Sequence, residues 1–368
     1  MRLDAVLLTL IITLSLLGTV MIFSAGSAYA EFRYHDAYYF VRRQLLFLLL
    51  GYALMLICSR VSTDFIYRFS AIAFYITLLL LILVLIVGFV GNGAKRWIQI
   101  GPITIQPSEI AKLTMVLFMA KYYTVFEQLA VSSAKKRDVF LYGTIFPFLM
   151  IGCVVLLVML QKHLSCIIIL GMIGISLMVV SGARLRYLYT FLGLGVGGVS
   201  AFALLTDYTK ERITVWQNPE AYKLTGGWQT LQGLMAIGSG GLGGLGLGEG
   251  LLKYCYISEP ANDMIFTVVC EELGLLGAAL CITLFAALVW RGFWVARGAK
   301  GTFERLVAFG ITAKIAIQVM LNIAVVTNTI PNTGISLPFF SYGGSSLLMI
   351  MLECGILLSI SRGVKTTK

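Results

Sequence analysis

Residues 69–90, "FSAIAFYITLLLLILVLIVGFV", carry no acidic or basic side chain over 22 positions. A run of that length matches the ~20 apolar residues that cross a bilayer as a helix. No water is present there to pair backbone N–H and C=O groups, so the run must pair them internally, as a helix does. Comparable runs recur along the whole chain and predict spans at 5–25, 44–60, 69–90, 108–124, 139–160, 164–182, 186–206, 264–290, 305–327 and 343–361. Composition agrees: 59% of the 368 residues are hydrophobic, 12% are charged and the mean hydropathy is +0.91, which excludes an ordinary soluble domain. The expected fold class is an all-α polytopic membrane protein of ten transmembrane helices, a single domain over 1–368.

An even number of spans puts both termini on one side. Connections on that side hold 16 Lys and Arg, among them Arg60, Arg68, Lys135, Lys136, Arg137, Arg297 and Lys300, against 10 on the other. Basic residues accumulate on the cytoplasmic side, so both termini are expected to be cytoplasmic. The same rule explains most of the net charge of +11, which therefore gives no reason to expect nucleic acid and suits an anionic lipid surface. The first span runs into "SAGSAYAEF" (24–32), an Ala-x-Ala peptidase pattern. Its apolar run exceeds the ~7–15 residues of a signal core, so an uncleaved first helix is expected. Seven scattered cysteines show no CxxC or Cys/His spacing, and neither a zinc site nor a disulfide framework is indicated.

Two outer connections stand out. Residues 91–107, "GNGAKRWIQIGPITIQP", mix glycine, two cations and an indole ahead of span four. The loop at about 207–263, between helices 7 and 8, is much the longest, and long loops are commonly functional. Within it "GSGGLGGLGLGEG" (238–250) lacks the Gly-Lys-Ser/Thr ending of a nucleotide-binding loop. It reads instead as a tight, partly re-entrant turn whose glycines let backbone approach its neighbours. The two tryptophans of 211–240 are expected to anchor the loop at headgroup level.

Ionisable groups inside spans cost several kcal/mol unless paired or hydrated, which makes each a functional candidate. Glu109 and Lys112 lie three apart, on one helical face, where they can neutralise each other. Lys95 and Arg96 precede that helix; either they join Lys112 in a positive pocket suited to phosphate, or they snorkel to headgroups. Asp263 sits at the outer boundary of span eight, where it is a base candidate or a helix N-cap. Glu271, eight residues on, is turned by only ~80° and lies ~12 Å along the helix, so it can share a cavity with Asp263; Glu272 points away, toward a neighbouring helix. Lys314 and Glu353 have no partner nearby in sequence. His35 and His163 belong to no nucleophile or metal constellation and read as structural.

Four stretches, "NGAKRWIQIGPITIQPSEIAKL" (92–113), "AIGSGGLGGLGLGEG" (236–250), "ANDMIFTVVCEELGLLG" (261–277) and "IPNTGISLPFFSYGGSSLL" (330–348), together resemble signatures of the SEDS family, named for shape, elongation, division and sporulation. They occur in the family's order over most of the chain, and are closer to its division and sporulation branch than to its elongation branch. The resemblance implies a ten-helix peptidoglycan glycosyltransferase that polymerises lipid II outside the bacterial cytoplasmic membrane, alongside a class B penicillin-binding protein transpeptidase and the division or elongation machinery. It puts the family's essential aspartate on Asp263, its helix-four pair on Glu109 and Lys112, its basic residue before Trp on Arg96, and its "SYGGSS" turn on Ser341 to Ser346, Ser345 included. One departure is "QKHLS" (161–165), where the family often has Gln-Pro-Asp-Leu-Gly, so that Asp has no counterpart in His163.

Joining two lipid-linked sugars needs a base for the attacking hydroxyl and countercharge for the departing pyrophosphate. Asp263 is the expected base, with Glu271 shaping the cavity and Lys95, Arg96, Lys112 and Arg212 facing the pyrophosphate. A divalent cation, Mg²⁺ or Mn²⁺, is a candidate aid there, and the sequence assigns it no ligands. Rival readings are a transporter that flips lipid II, since buried Lys and Glu also suit a translocation path, and a scaffold that recruits the transpeptidase.

Overall fold

The computed structural model describes residues 3–91, 94–101, 103–132, 140–183, 189, 193, 197–198, 207–251, 253–254 and 260–364. Its elements, in chain order, are α1 (Ala5–Tyr34), α2 (Tyr39–Cys58), α3 (Thr63–Val87), β1 (Phe89–Gly91), β2 (Ala94–Ile100), β3 (Ile103–Ile105), α4 (Pro107–Ser132), a π-turn (Leu141–Ile145) running into α5 (Phe146–Leu160), α6 (Leu164–Val180), α7 (Asp207–Gln217), α8 (Trp228–Ser239), α9 (Ile265–Gly298), α10 (Thr302–Val326) and α11 (Gly344–Ser361). Among the described residues, seven helical stretches are long and apolar enough to cross a membrane: α1, α2, α3, the π-turn with α5, α9, α10 and α11. Of the other expected spans, α4 carries Glu109, Lys112 and Lys121, α6 has 17 residues, and 186–206 lies largely outside the described residues.

Two expectations are corrected. The chain is not wholly α-helical: the connection ahead of α4 folds as a three-stranded antiparallel sheet in the order β1-β2-β3, with Phe89 opposite Trp97 and Ile98 opposite Ile105. The β-branched and aromatic residues of "RWIQIGPITI", split by Gly-Pro, are a strand–turn–strand pattern. The long connection 207–263 is also not mere loop, since it contains α7 and α8.

The helices pack as a bundle in which α2 lies on α11, α9 on α1 and α10, α3 on α4, and both α4 and α6 on α10. Asp4 caps α1, accepting from Leu7 N at 3.0 Å, and pairs with Arg291 of α9 at 2.8 Å. α1 continues unbroken through 24–32, with Ala25 and Ala30 buried, so the peptidase-like pattern lies inside packed helix. Among the described cysteines, Cys166, Cys270, Cys281 and Cys354 are buried and unpaired, as small core residues are.

α9 breaks at Gly274, whose φ of 64° and ψ of −166° are non-helical. A break strands backbone groups on both sides, and the glycine-rich segment supplies their partners. Leu245 N and Gly246 N donate to Glu271 O and Glu272 O at 3.0 Å each, while Leu275 N and Leu276 N donate to Gly241 O and Leu242 O at 2.9 and 3.2 Å. A methyl on Gly274 would stand 2.3 Å from Gly244 N. Gly274→Ala combines that collision with a left-handed φ, and is expected to cost more than ~1 kcal/mol, read as a lower thermal midpoint in detergent.

Candidate active site

Asp263 stands in the turn entering α9, at the end of the bundle where α10 finishes and α11 begins. Two side chains and one backbone bond fix that turn. Asn322 Nδ2, on α10, donates to Asp263 O at 2.9 Å and to Ile335 O at 2.6 Å. Ser341 Oγ donates to Asn262 O at 2.6 Å and accepts from Leu337 N at 2.7 Å, and Tyr342 N donates to Ala261 O at 2.8 Å. The turn and the 335–342 segment are thus one unit, held by buried hydrogen bonds that are expensive to break.

The Asp263 side chain is half-buried, with Oδ1 shielded from solvent, and a methyl on Gly334 would lie 3.6 Å from Oδ2. Met264, not Asp263, is the N-cap of α9, and no side chain caps it. The capping alternative is therefore set aside. The segment beside Asp263 is itself tied down: Arg212 Nη1 donates to Asn332 O, Ser165 Oγ to Thr333 O, and Gln318 Nε2 to Ser336 O at 2.9 Å. Phe339, in the same segment, holds a φ of 65°, unusual for a bulky residue. Phe40 of α2 meets Tyr342 edge-on at 4.8 Å, and Arg43 bonds the Tyr342 hydroxyl, whose pKa burial raises.

Next to this segment lies a cavity of about 260 Å³ between α7, α8 and residues 328–332, lined by Arg212, Trp216, Gln229, Thr230, Asn328 and Asn332 among others. Trp216 Nε1 donates to Asn328 O at 2.9 Å, so this indole is bonded to protein on the cavity wall, where a headgroup anchor was expected.

The intrahelical charges assemble differently from the expected pocket. Lys112 Nζ donates to Glu109 Oε1 at 2.7 Å with both side chains buried, and Lys314 of α10 pairs with Glu353 of α11 at 2.8 Å, equally buried. The pairs act on each other, Lys314 on Glu109 and Glu353 on Lys112, forming a neutral cluster of four. Lys112, 2% exposed, is therefore not a wall of an outer positive pocket. Arg96 also turns away from that role: Nε donates to Gln161 O at 3.4 Å and Nη2 to Lys162 O, bracing the turn before α6. Lys95 remains exposed on β2. In the braced turn, Gln106 Nε2 and Ser108 Oγ lie 3.3 Å from His163 Nδ1. Burial, then the charge of Arg96, pulls the His163 pKa down to about 3, so the imidazole is neutral and takes no aspartate's place.

Glu271 does not share Asp263's surroundings. It is 1% exposed, and its Oε1 accepts from Leu251 N at 2.9 Å, which binds it to the glycine-rich segment. Glu272 meets Ser24 of α1 at 2.6 and 2.7 Å, Lys253 at 2.6 Å and Gly248 N at 3.1 Å. Both acids hold the break in α9. Ser341 is a brace of the Asp263 turn, and Ser345 is half-buried in the first turn of α11.

The sequence reading missed Lys253, Gln318, Asn322 and Ser165. Gln318 and Asn322 had a usable signal, two amides four apart in an apolar helix, since buried amides demand partners as charges do. As for a divalent cation, no three His, Cys, Asp or Glu side chains come together among the described residues. Among the described residues the Asp263 turn offers one carboxylate, Asp263 itself, and no step below runs through a metal.

A family model described as "Cell cycle protein", covering FtsW, RodA and SpoVE, matches residues 4–366. The stage V sporulation protein E of Bacillus subtilis is 41% identical over 362 residues, covering 97% of this chain and 96% of that protein. The probable peptidoglycan glycosyltransferase FtsW of Geobacter metallireducens is 36% identical over 370 residues, covering 100% and 96%. Among solved structures, a chain from work on polymerization and crosslinking by a peptidoglycan synthase complex superposes with a TM-score of 0.81 at 27% identity, covering 98% of each chain. The rod shape determining protein RodA of Thermus thermophilus gives 0.73 at 27% identity, covering 98% of this chain and 97% of that one.

Proposed function

The chain belongs to the FtsW, RodA and SpoVE family of cell cycle proteins, and from that premise we propose that it is a peptidoglycan glycosyltransferase that polymerises lipid II. The acceptor's GlcNAc 4-hydroxyl attacks C1 of the donor sugar, a new C1–O4 bond forms, and the bond from C1 to the pyrophosphate breaks. The hydroxyl proton passes to the Asp263 carboxylate, a general base, and undecaprenyl pyrophosphate leaves with the bonding electrons. Lys95 and Arg212 supply countercharge to the pyrophosphate. Arg96 positions the turn before α6, and the Glu109–Lys112 pair sets the packing of α4.

The observation that carries this reading is the backbone of Asp263, held by Asn322 and with its neighbours Asn262 and Ala261 held by Ser341 and Tyr342, at a bundle end where its side chain is only half-buried. A base must be held within hydrogen-bond reach of its proton donor, and a rigid turn achieves that. In this reading the chain is one membrane domain of ten spans: the seven apolar stretches, α4 and α6, and the span that the sequence predicts over 186–206. Its termini face the cytoplasm, and the Asp263 end faces outward in the bacterial cytoplasmic membrane, where two polyprenyl tails stay in lipid beside the reacting groups. A class B transpeptidase is the partner, by likeness to a chain of a synthase complex.

The test is purified full-length protein in detergent with fluorescent lipid II, alone and with a class B transpeptidase, resolved on a gel. Glycan strands and released pyrophosphate lipid are expected. Absence of strands in both mixtures, together with transbilayer movement of lipid II in liposomes, overturns the reading in favour of a transporter.

A further inference from the structure

We propose that the cavity between α7, α8 and residues 328–332 is a saccharide subsite, holding the N-acetylated hexosamine ring that bears the pyrophosphate. This rests on the glycosyltransferase reading and deepens it. The cavity, about 260 Å³, is smaller than the ~300–1,000 Å³ of drug-sized ligand sites, a size for one ring and not for a disaccharide with its peptide.

Its chemistry is that of a neutral, hydroxyl-rich guest. The Gln229 amide and the Thr230 hydroxyl line it and hydrogen-bond to no described residue. Asn332 uses Oδ1 to accept from Gly334 N at 3.1 Å, which leaves its amide N–H groups to donate. The Trp216 indole, oriented by its bond to Asn328 O, adds an apolar face against a polar rim, the combination that amphipathic rings pack on. One carboxylate, Glu211, and one guanidinium, Arg212, lie on the lining. The lining therefore has no net formal charge, which suits a neutral ring. Arg212 faces both the ring and, in the proposed reaction, the pyrophosphate bonded to it.

Position supports the same assignment. Arg212 bonds the carbonyl of Asn332, Asn332 bonds Gly334 N, and Gly334 borders Asp263 Oδ2. A ring seated here lies one short chain segment from the base.

The experiment uses full-length protein in detergent, with N,N′-diacetylchitobiose as a soluble probe and lipid II as substrate. Saturation-transfer NMR is expected to reach the probe's acetyl methyls in wild type and to be lost in the Gln229→Ala/Thr230→Ala double variant. That variant is also expected to raise KM for lipid II about tenfold, the worth of roughly one or two hydrogen bonds, with kcat within twofold. Should the double variant not fold, Gln229→Ala alone is read the same way. No transfer in wild type, transfer unchanged in the variant, or an unchanged KM overturns the subsite. Asp263→Asn keeps the probe signal, so loss of the base assignment and loss of the subsite are separate outcomes.

Discussion

Asp263→Asn is expected to abolish glycan polymerisation while leaving the protein folded. The replacement keeps the shape of the side chain and removes its capacity to accept a proton. The clamp survives, because Asn322 donates to the backbone carbonyl of Asp263 and Ser341 and Tyr342 hold residues 262 and 261. None of those bonds uses the carboxylate. Removal of a positioned general base typically costs ~10²–10⁴-fold in rate, so kcat for lipid II should fall by about that factor, with KM and thermal midpoint near wild type. Asp263→Glu keeps a carboxylate but moves it by one methylene against a fixed turn, and should recover only part of the rate. Strand synthesis by Asp263→Asn at wild-type speed would remove the aspartate from the chemistry and leave it a structural role. Asn322→Leu gives the complementary result: it deletes the brace, leaves two buried carbonyls without their donor, and lowers stability and kcat together.

The apolar helices were legible because the bilayer makes length and absence of charge sufficient criteria, as α3 illustrates. Asp263 was legible because an acid at the mouth of an apolar run needs a reason. Pairing was not. Lys314 and Glu353 are 39 positions apart, and Glu272 meets Ser24 across 248, so only the packing of α10 on α11 and α1 on α9 brings them together. The same blindness put Glu271 beside Asp263, since helical phase alone ignored the end of the glycine-rich segment, where Leu251 N binds the Glu271 carboxylate. The sheet ahead of α4 escaped because a reading by span length treats everything between spans as connection, although its Ile and Thr positions carried a strand pattern. The cavity between α7 and α8 depends on three separate segments and has no linear signature.

The second large effect is expected at the buried pair of Lys314 and Glu353, where each single neutralisation should be far worse than both together. The ions lie 2.8 Å apart with side-chain exposures of 3% and 1%. Glu353→Leu strands the Lys314 ammonium and Lys314→Met strands the Glu353 carboxylate; breaking a buried pair from one side typically costs ~3–5 kcal/mol. Replacing both with apolar residues removes the desolvation penalty along with the attraction, and such exchanges are often neutral or stabilising by ~1–4 kcal/mol. Equilibrium unfolding of the four proteins in one detergent should therefore give two destabilised single variants and a double variant near wild type, a coupling of several kcal/mol by the double-mutant cycle. Near-additive losses would instead mean that Glu109 and Lys112, which feel the same charges, redistribute to cover each vacancy. The cycle also speaks to function, because Lys314, Gln318 and Asn322 recur every four residues along one stripe of α10, and the last two hold the segment beside Asp263. If the cluster only packs the helices, the double variant polymerises lipid II within a few-fold of wild type. A restored fold with a lost kcat would instead assign the four charges to setting the height of α10, and with it the reach of the base.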